Sequence, residues 1–259
     1  MKKRIKRIYQ LFFSEKQRIK NRLLFNQTIS VFYRGNTCYC NCCGKSFRKF
    51  KPKGTALTKR ENAECPYCGS LERVRNLLFY IENETGLLTG KFRLLHFAPE
   101  WCLLPVFKKA ANLDYITADI NPDLADHVVD IMDIPFEDES FDYIICFHVL
   151  GHVPDEKKAI EEMYRVLKPE GTALIATIID LNNPHTFETD DADTPQKRLY
   201  YYSEPDLLRL HGTDFDQRLT QGGFKVEMID YPSVLGEEIK RKYVLGDGKR
   251  ELIFKCVKN

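Results

Sequence analysis

At 259 residues and 43% apolar, the chain can bury one substantial core and a small appendage. Its formal net charge of +2 is too balanced to argue by itself for a nucleic-acid partner. Nine cysteines in a mixed chain do not read as a disulfide framework, and no run is long enough to span a bilayer. The apolar run 8–13 behind the basic start is too short for a secretory leader. The expected setting is therefore reducing and cytoplasmic, with peripheral membrane contact left open.

Residues 1–36 form a basic amphipathic segment. Lys2, Lys3, Arg4, Lys6, Arg7, Lys16, Arg18, Lys20 and Arg22 dominate it, with Glu15 as the acid among residues 1–30. Ile5, Ile8, Tyr9, Leu11, Phe12 and Phe13 interleave with these cations. Such a segment lies on an anionic membrane face, touches RNA, or packs on the main domain with a solvated basic face. All three readings stand.

Residues 37–70 read as a zinc ribbon. Cys40 and Cys43 precede Gly44, and Cys65 and Cys68 precede Gly69, giving two C-x2-C-G knuckles. Two intervening residues let each knuckle wrap a tetrahedral ion, and the glycine permits the turn. Cys38 and Cys42 are less well spaced, though one of them could substitute in another register. No histidine lies nearby to build an open catalytic site, so the Zn2+ is expected to be structural and to fold the ribbon. The intervening loop carries Lys45, Arg48, Lys49, Lys51, Lys53, Lys59 and Arg60 around Phe47 and Phe50. Either the patch grips phosphates or a glycan, or the phenylalanines form the ribbon's own core.

Residues 71–259 form the main domain. Leu71, Val74, Leu77, Leu78 and Ile81 recur at helical spacing over residues 71–84. Apolar runs at 92–97, 115–118, 141–147 and 172–178 read as buried strands. Ala159, Ile160, Met163, Val166 and Leu167 mark a helix over 155–167, stopped by Pro169 and Gly171. Strand, helix, strand at this length implies a parallel sheet with right-handed crossovers. Ligands sit at the carboxyl ends of such strands. Asp119 closes the strand at 115–118 and can accept from ribose hydroxyls. Asp130 beside Ile131 can hold an adenine edge and face. Phe147 and His148 close the strand at 141–147.

Asp119 with Ile120, the stretch DIMDIPFEDESFD (130–142), FHVLGHVPD (147–155) and EEMYRVLKPEGT (161–172) resemble, in order and spacing, the class I S-adenosylmethionine-dependent methyltransferases of the "type 11" group. The resemblance runs from about residue 92 to the C-terminus. It implies a Rossmann-like α/β sheet of seven strands, the last antiparallel, with S-adenosyl-L-methionine as cofactor. The glycine-rich turn after strand one is missing. Ala98 falls at its first glycine position, Glu100 at its second and Cys102 at its third. The resemblance places the methionine end of the cofactor at Phe97, Ala98, Pro99 and Glu100, with Glu100 offered to the cofactor's cationic groups. It places the ribose at Asp119, the adenine at Asp130 and Ile131, and the reacting methyl near Phe147 and His148, with Ile120 a further cofactor-binding residue. His148 is the candidate base for an acceptor proton, and His152 is expected to cap or pack the next helix.

Residues 181–205 read as a lid or substrate loop, in which Tyr200, Tyr201 and Tyr202 either line an acceptor pocket or cover the sheet edge. Strand six follows Gly222 and Gly223, residues 237–250 form a charged insertion, and strand seven spans 252–257. The expected function is methyl transfer to an unidentified acceptor: a small molecule, a glycan or a lipid-linked intermediate. Two alternatives stand beside it. One is an RNA methyltransferase whose ribbon binds RNA. The other is a non-catalytic binding protein on a decayed methyltransferase fold.

Overall fold

The computed structural model of the chain describes residues 12–54, 59–246 and 251–259. Lys2, Lys3, Arg4, Ile5, Lys6, Arg7, Ile8, Tyr9 and Leu11 of the N-terminal segment lie outside the described residues, as do 247–250 of the charged insertion.

Helix α1 (Glu15–Ile29) starts at Ser14, whose side chain accepts from the Gln17 amide. A 3-10 turn (Ser30–Tyr33) leads into the ribbon, built from two antiparallel pairs. These are β1 (Arg34–Cys40) with β2 (Lys45–Phe47), and β3 (Lys51–Lys53) with β4 (Arg60–Glu64). Helix α2 (Glu72–Glu84) follows, as its apolar spacing predicts, and carries the chain to the sheet.

The sheet contains β5 (Phe92–Phe97), β6 (Leu113–Asp119), β7 (His127–Val128), β8 (Phe141–Phe147), β9 (Leu167–Ala176), β10 (Lys225–Ile229) and β11 (Ile253–Val257). Their order is β10-β11-β9-β8-β5-β6-β7. Strands β5 to β9 pair in parallel, and β11 enters antiparallel between β9 and β10. This is a Rossmann-like α/β sheet of seven strands, with the antiparallel last strand that the resemblance implies. The remaining helices are α3 (Leu104–Lys109), α4 (Glu156–Val166), α5 (Pro195–Tyr202), α6 (Phe215–Gln221), α7 (Tyr231–Val234) and α8 (Glu237–Tyr243).

The strands alternate their apolar side chains between two cores. Leu94, Ile145 and Leu174 face α2, through Val74, Leu77, Leu78 and Ile81. Leu95, Ile144 and Ile175 face α4, through Ala159, Ile160, Met163 and Val166. Each such fully buried side chain stabilises by about 1.5–3 kcal/mol. The ribbon's Phe47 and Phe50 belong to the α2 core, so ribbon and sheet are continuous in packing.

One strand begins earlier than its sequence predicts. β9 starts at Leu167, opposite Phe141, and the next paired residue is Thr172, opposite Tyr143. Residues 168–171 therefore loop out of the ladder, with Glu170 at φ +62°. The Pro and Gly that stop α4 also shape this bulge. Arg165, on the last turn of α4, ties the preceding loop by donating to the carbonyls of Ile134 and Phe136 at 2.8 and 2.9 Å.

Candidate cofactor site and cysteine cluster

An open cavity of about 580 Å3 lies at the carboxyl ends of β5, β6 and β8. Phe97, Ala98, Asp119, Ile120, Asp130, Ile131 and His148 line it, brought together from four separate stretches of chain. Asp119 ends β6, and one of its oxygens accepts from the Asn121 amide at 2.8 Å, fixing the side chain at the strand's tip. Burial raises its pKa above the ordinary carboxylate value. The Asn121 amide opposes the shift, and the charge of Glu15 adds to it. Asp130 accepts from the Met132 amide at 2.9 Å in a tight side-chain turn that brings Ile131 and Met132 to the wall.

Pro99, Glu100 and Phe147 are not among the lining residues. Phe147 is buried in the α2 core. Glu100 is turned toward the sheet, where an oxygen lies 3.1 Å from Nε2 of the fully buried His96. Nδ1 of His96 lies 2.9 Å from the Tyr115 hydroxyl. A carboxylate only accepts, so Nε2 of His96 donates to Glu100. Burial first, and then the charge of Glu100, push the Tyr115 pKa well up, which keeps that hydroxyl a donor. The carboxylate expected to face the cofactor instead buttresses the turn from beneath. Ala98, at φ +45°, takes the left-handed conformation that a glycine would adopt more readily.

His148 adopts φ +57° directly after β8, and its amide donates to the Ala176 carbonyl at 2.7 Å. His152, expected to pack a helix, lines the cavity as well. Its Nδ1 is 3.0 Å from the Asp206 carbonyl, and Asp206 itself joins the wall. The sequence carries no local sign of Asp206, which arrives from beyond the lid. The same holds for buried Arg209. Its guanidinium donates to the carbonyls of Leu150, Val153 and Pro154 at 2.9, 2.6 and 3.0 Å, holding the loop behind His148. Tyr200, Tyr201 and Tyr202, expected either to line an acceptor pocket or to cover the sheet edge, do not line the cavity. Tyr202 is buried in a small lid core with Ala192 and Leu207, while Tyr200 is exposed.

In the ribbon, the sulfurs of Cys40, Cys43, Cys65 and Cys68 lie within 4.8 Å of one another. The Cys40–Cys68 and Cys43–Cys65 separations are 3.6 and 3.9 Å. A tetrahedral zinc with Zn–S of about 2.3 Å requires edges of about 3.8 Å, so the donor set fits. Gly44 and Gly69 stand at φ +66° and +75°, and their amides donate to Cys40 and Cys65 carbonyls at 2.8 and 3.0 Å. Cys38 is turned to Asn62, and Cys42, which reaches Asn41, Cys40 and Cys102, stands outside the four-sulfur set. The Ser70 hydroxyl sits 3.1 and 3.4 Å from the Cys40 and Cys68 sulfurs. Arg75, fully buried, donates to the Ser70 carbonyl at 2.6 Å. Phe47 and Phe50 are buried and so are not presented for stacking. Lys51 and Lys53 pair with Glu64, Lys59 with Glu61 and Arg60 with Glu72, which spends much of the ribbon's positive charge internally.

The sheet's second strand ends in a carboxylate beside an open cavity walled by a second acidic–apolar pair, at the strand ends where doubly wound sheets place their ligands. Residues 104–175 match a family model described as a methyltransferase domain. A demethylmenaquinone methyltransferase of Staphylococcus epidermidis is 52% identical over 42 residues, 16% of this chain and 17% of the relative. An uncharacterised protein of Haemophilus influenzae is 48% identical over 56 residues, 21% of this chain and 22% of its own. The solved phosphoethanolamine N-methyltransferase 2 of Haemonchus contortus, in complex with S-adenosyl-L-methionine, aligns at TM-score 0.48 and 19% identity, covering 71% of this chain and 52% of that one. The chain thus spans only 17% and 22% of the length of these two curated relatives.

Proposed function

We propose that the chain is an S-adenosylmethionine-dependent methyltransferase stabilised by a structural zinc. The cavity that gathers Asp119, Asp130, Ile131 and His148 at the strand ends carries this reading. Asp119 would accept from the ribose hydroxyls. Ile120 and Ile131 offer the apolar faces for an adenine, and Asp130 accepts at its amino edge. Phe97 and Ala98 line the floor toward the methionine end, where small Ala98 lets a ligand approach the backbone.

When bound, the cofactor supplies an electrophilic methyl on a sulfonium. Transfer is then an in-line displacement, so the chain mainly aligns the partners and removes water. His148 and His152 line the same cavity, and either would hold or accept an acceptor's proton. The acceptor classes are a small molecule, a glycan or a lipid-linked intermediate. Cys40, Cys43, Cys65 and Cys68 would hold the zinc as four thiolates, a closed set with no position for substrate.

Native mass spectrometry of the purified chain tests both halves. The expected species carries one zinc and takes up one S-adenosylhomocysteine. A folded chain with neither adduct would overturn the reading.

A further inference from the structure

Helix α1 leaves an apolar strip uncovered. Leu24, Phe25 and Phe32 are 65%, 62% and 73% exposed, and Val31 is exposed beside them. Leu24 and Phe25 lie near the end of α1, and Val31 and Phe32 lie in the 3-10 turn that continues it, so the four cluster at the helix's C-terminal end. The opposite side packs inward, with Asn26 and Ser30 buried. Asn26 accepts from the Lys51 ammonium of the ribbon at 2.8 Å, which fixes the helix's roll.

Cations border the strip. Lys20 and Lys16 lie four and eight residues before Leu24 on one flank. Arg18 and Arg22 lie seven and three before Phe25 on the other. Lys16, Lys20 and Arg22 make no ion pair among the described residues. Exposed aromatic and aliphatic side chains on a solvated helix incur an unfavourable hydration term, and water alone does not explain their grouping between unpaired cations. That grouping fits the interface of an anionic bilayer: rings enter the acyl boundary while lysine and arginine stems reach back to the headgroups.

We infer that α1 and the following turn form a docking surface for an anionic membrane. The surface is joined to the cofactor site. The Glu15 amide donates to Asp123 at 3.0 Å, and Asn121 donates to the Glu15 carboxylate at 2.8 Å. Both partners belong to the loop directly after Asp119. Docking therefore holds the cavity's rim near the bilayer and favours acceptors presented there. The docking itself does not depend on the methyltransferase reading.

The test is co-sedimentation of the full zinc-loaded chain with vesicles of phosphatidylcholine alone, or with about one third phosphatidylglycerol. Association with the anionic vesicles alone is expected. It should weaken roughly fivefold for each of Lys16, Lys20 and Arg22 changed to Gln, and fall further as salt rises. Phe25→Glu with Phe32→Glu should abolish it while zinc content and far-UV dichroism stay unchanged, because both rings are exposed. Three results would overturn the inference. They are no association with anionic vesicles, salt-sensitive binding to single-stranded RNA in its place, or a concentration-dependent dimer dispersed by the same phenylalanine changes.

Discussion

Glu100 and His96 are joined by a hydrogen bond of 3.1 Å beneath the turn that follows β5, where a glycine-rich loop would otherwise run. The bond ties the turn to the sheet through Tyr115 and substitutes local rigidity for backbone freedom. Glu100→Ala leaves a buried N–H without an acceptor and should cost about 1–3 kcal/mol. In thermal unfolding that amounts to a fall of about 2–4 °C per kcal/mol. Glu100→Gln retains an acceptor and should stay within about 1 kcal/mol of the parent. Equal loss of cofactor affinity in both variants, with no loss of stability in either, would return Glu100 to the cofactor.

The raised pKa of Asp119 gives a pH signature. Burial is its main cause, with Glu15 adding to it. A carboxyl with a raised folded pKa contributes stability that is fully present below its unfolded value, about 3.9, and lost as pH rises through the folded value. Asp119→Asn should therefore leave the ligand-free chain at least as stable as the parent at neutral pH. Added S-adenosylmethionine should stabilise the parent and not the variant. Cofactor affinity of the parent should fall as pH drops through that same window. Glu15→Gln should move the fall to lower pH. Thermal scans across pH 4–8 with and without cofactor read all four; the scan range is roughly that of carboxylate and histidine titration.

Removing zinc should unfold the ribbon, since structural zinc contributes apparent folding energies of about 10–16 kcal/mol in small modules. Cys40→Ser, Cys43→Ser, Cys65→Ser and Cys68→Ser should each lose the metal. Cys38→Ser and Cys42→Ser should keep one zinc per chain, because neither sulfur belongs to the four-sulfur cluster. Metal analysis after gel filtration decides this. Because the ribbon shares the α2 core, chelation should also lower the unfolding temperature of the whole chain.

Behind the cavity, His211 bridges Thr177 at 3.0 Å and the buried carboxylate of Glu156, and Arg218 donates to that carboxylate at 2.6 Å. Burial alone would raise the Glu156 pKa. The His211 hydrogen bond and the charge of Arg218 outweigh it and hold the group below its ordinary value. Its stabilisation is therefore present above the unfolded value, about 4.3, and lost as pH falls through the lower folded value. Glu156→Gln should cost about 3 kcal/mol at pH 7, with the gap to the parent closing at lower pH. Equal unfolding temperatures for the two proteins at pH 7 would contradict it.

Much of this architecture is legible in the residues. The strands at 92–97 and 141–147 and the helix at 71–84 announce themselves through apolar runs and 3.6-residue spacing. Those signals survive because burial selects for them locally. The cysteine knuckles are equally plain, since a metal demands fixed spacing. What escapes is long-range. Asp206, Arg209 and His211 reach the cavity's surroundings from beyond the lid, and nothing in their neighbourhoods records the partner they meet. The inward turn of Glu100 escapes for the same reason: it depends on His96 being buried with one nitrogen free toward it. The early start of β9 is hidden by Pro169 and Gly171, which read as a stop and act as a bulge.

Calorimetric titration of the zinc-loaded chain with S-adenosylmethionine and S-adenosylhomocysteine, beside Asp119→Ala, tests the central claim most directly. Dissociation constants in the micromolar range, lost in the variant, are what this account predicts. No heat and no thermal stabilisation at millimolar ligand, from a chain that is folded and carries its zinc, would contradict it and leave a binding protein built on a methyltransferase fold.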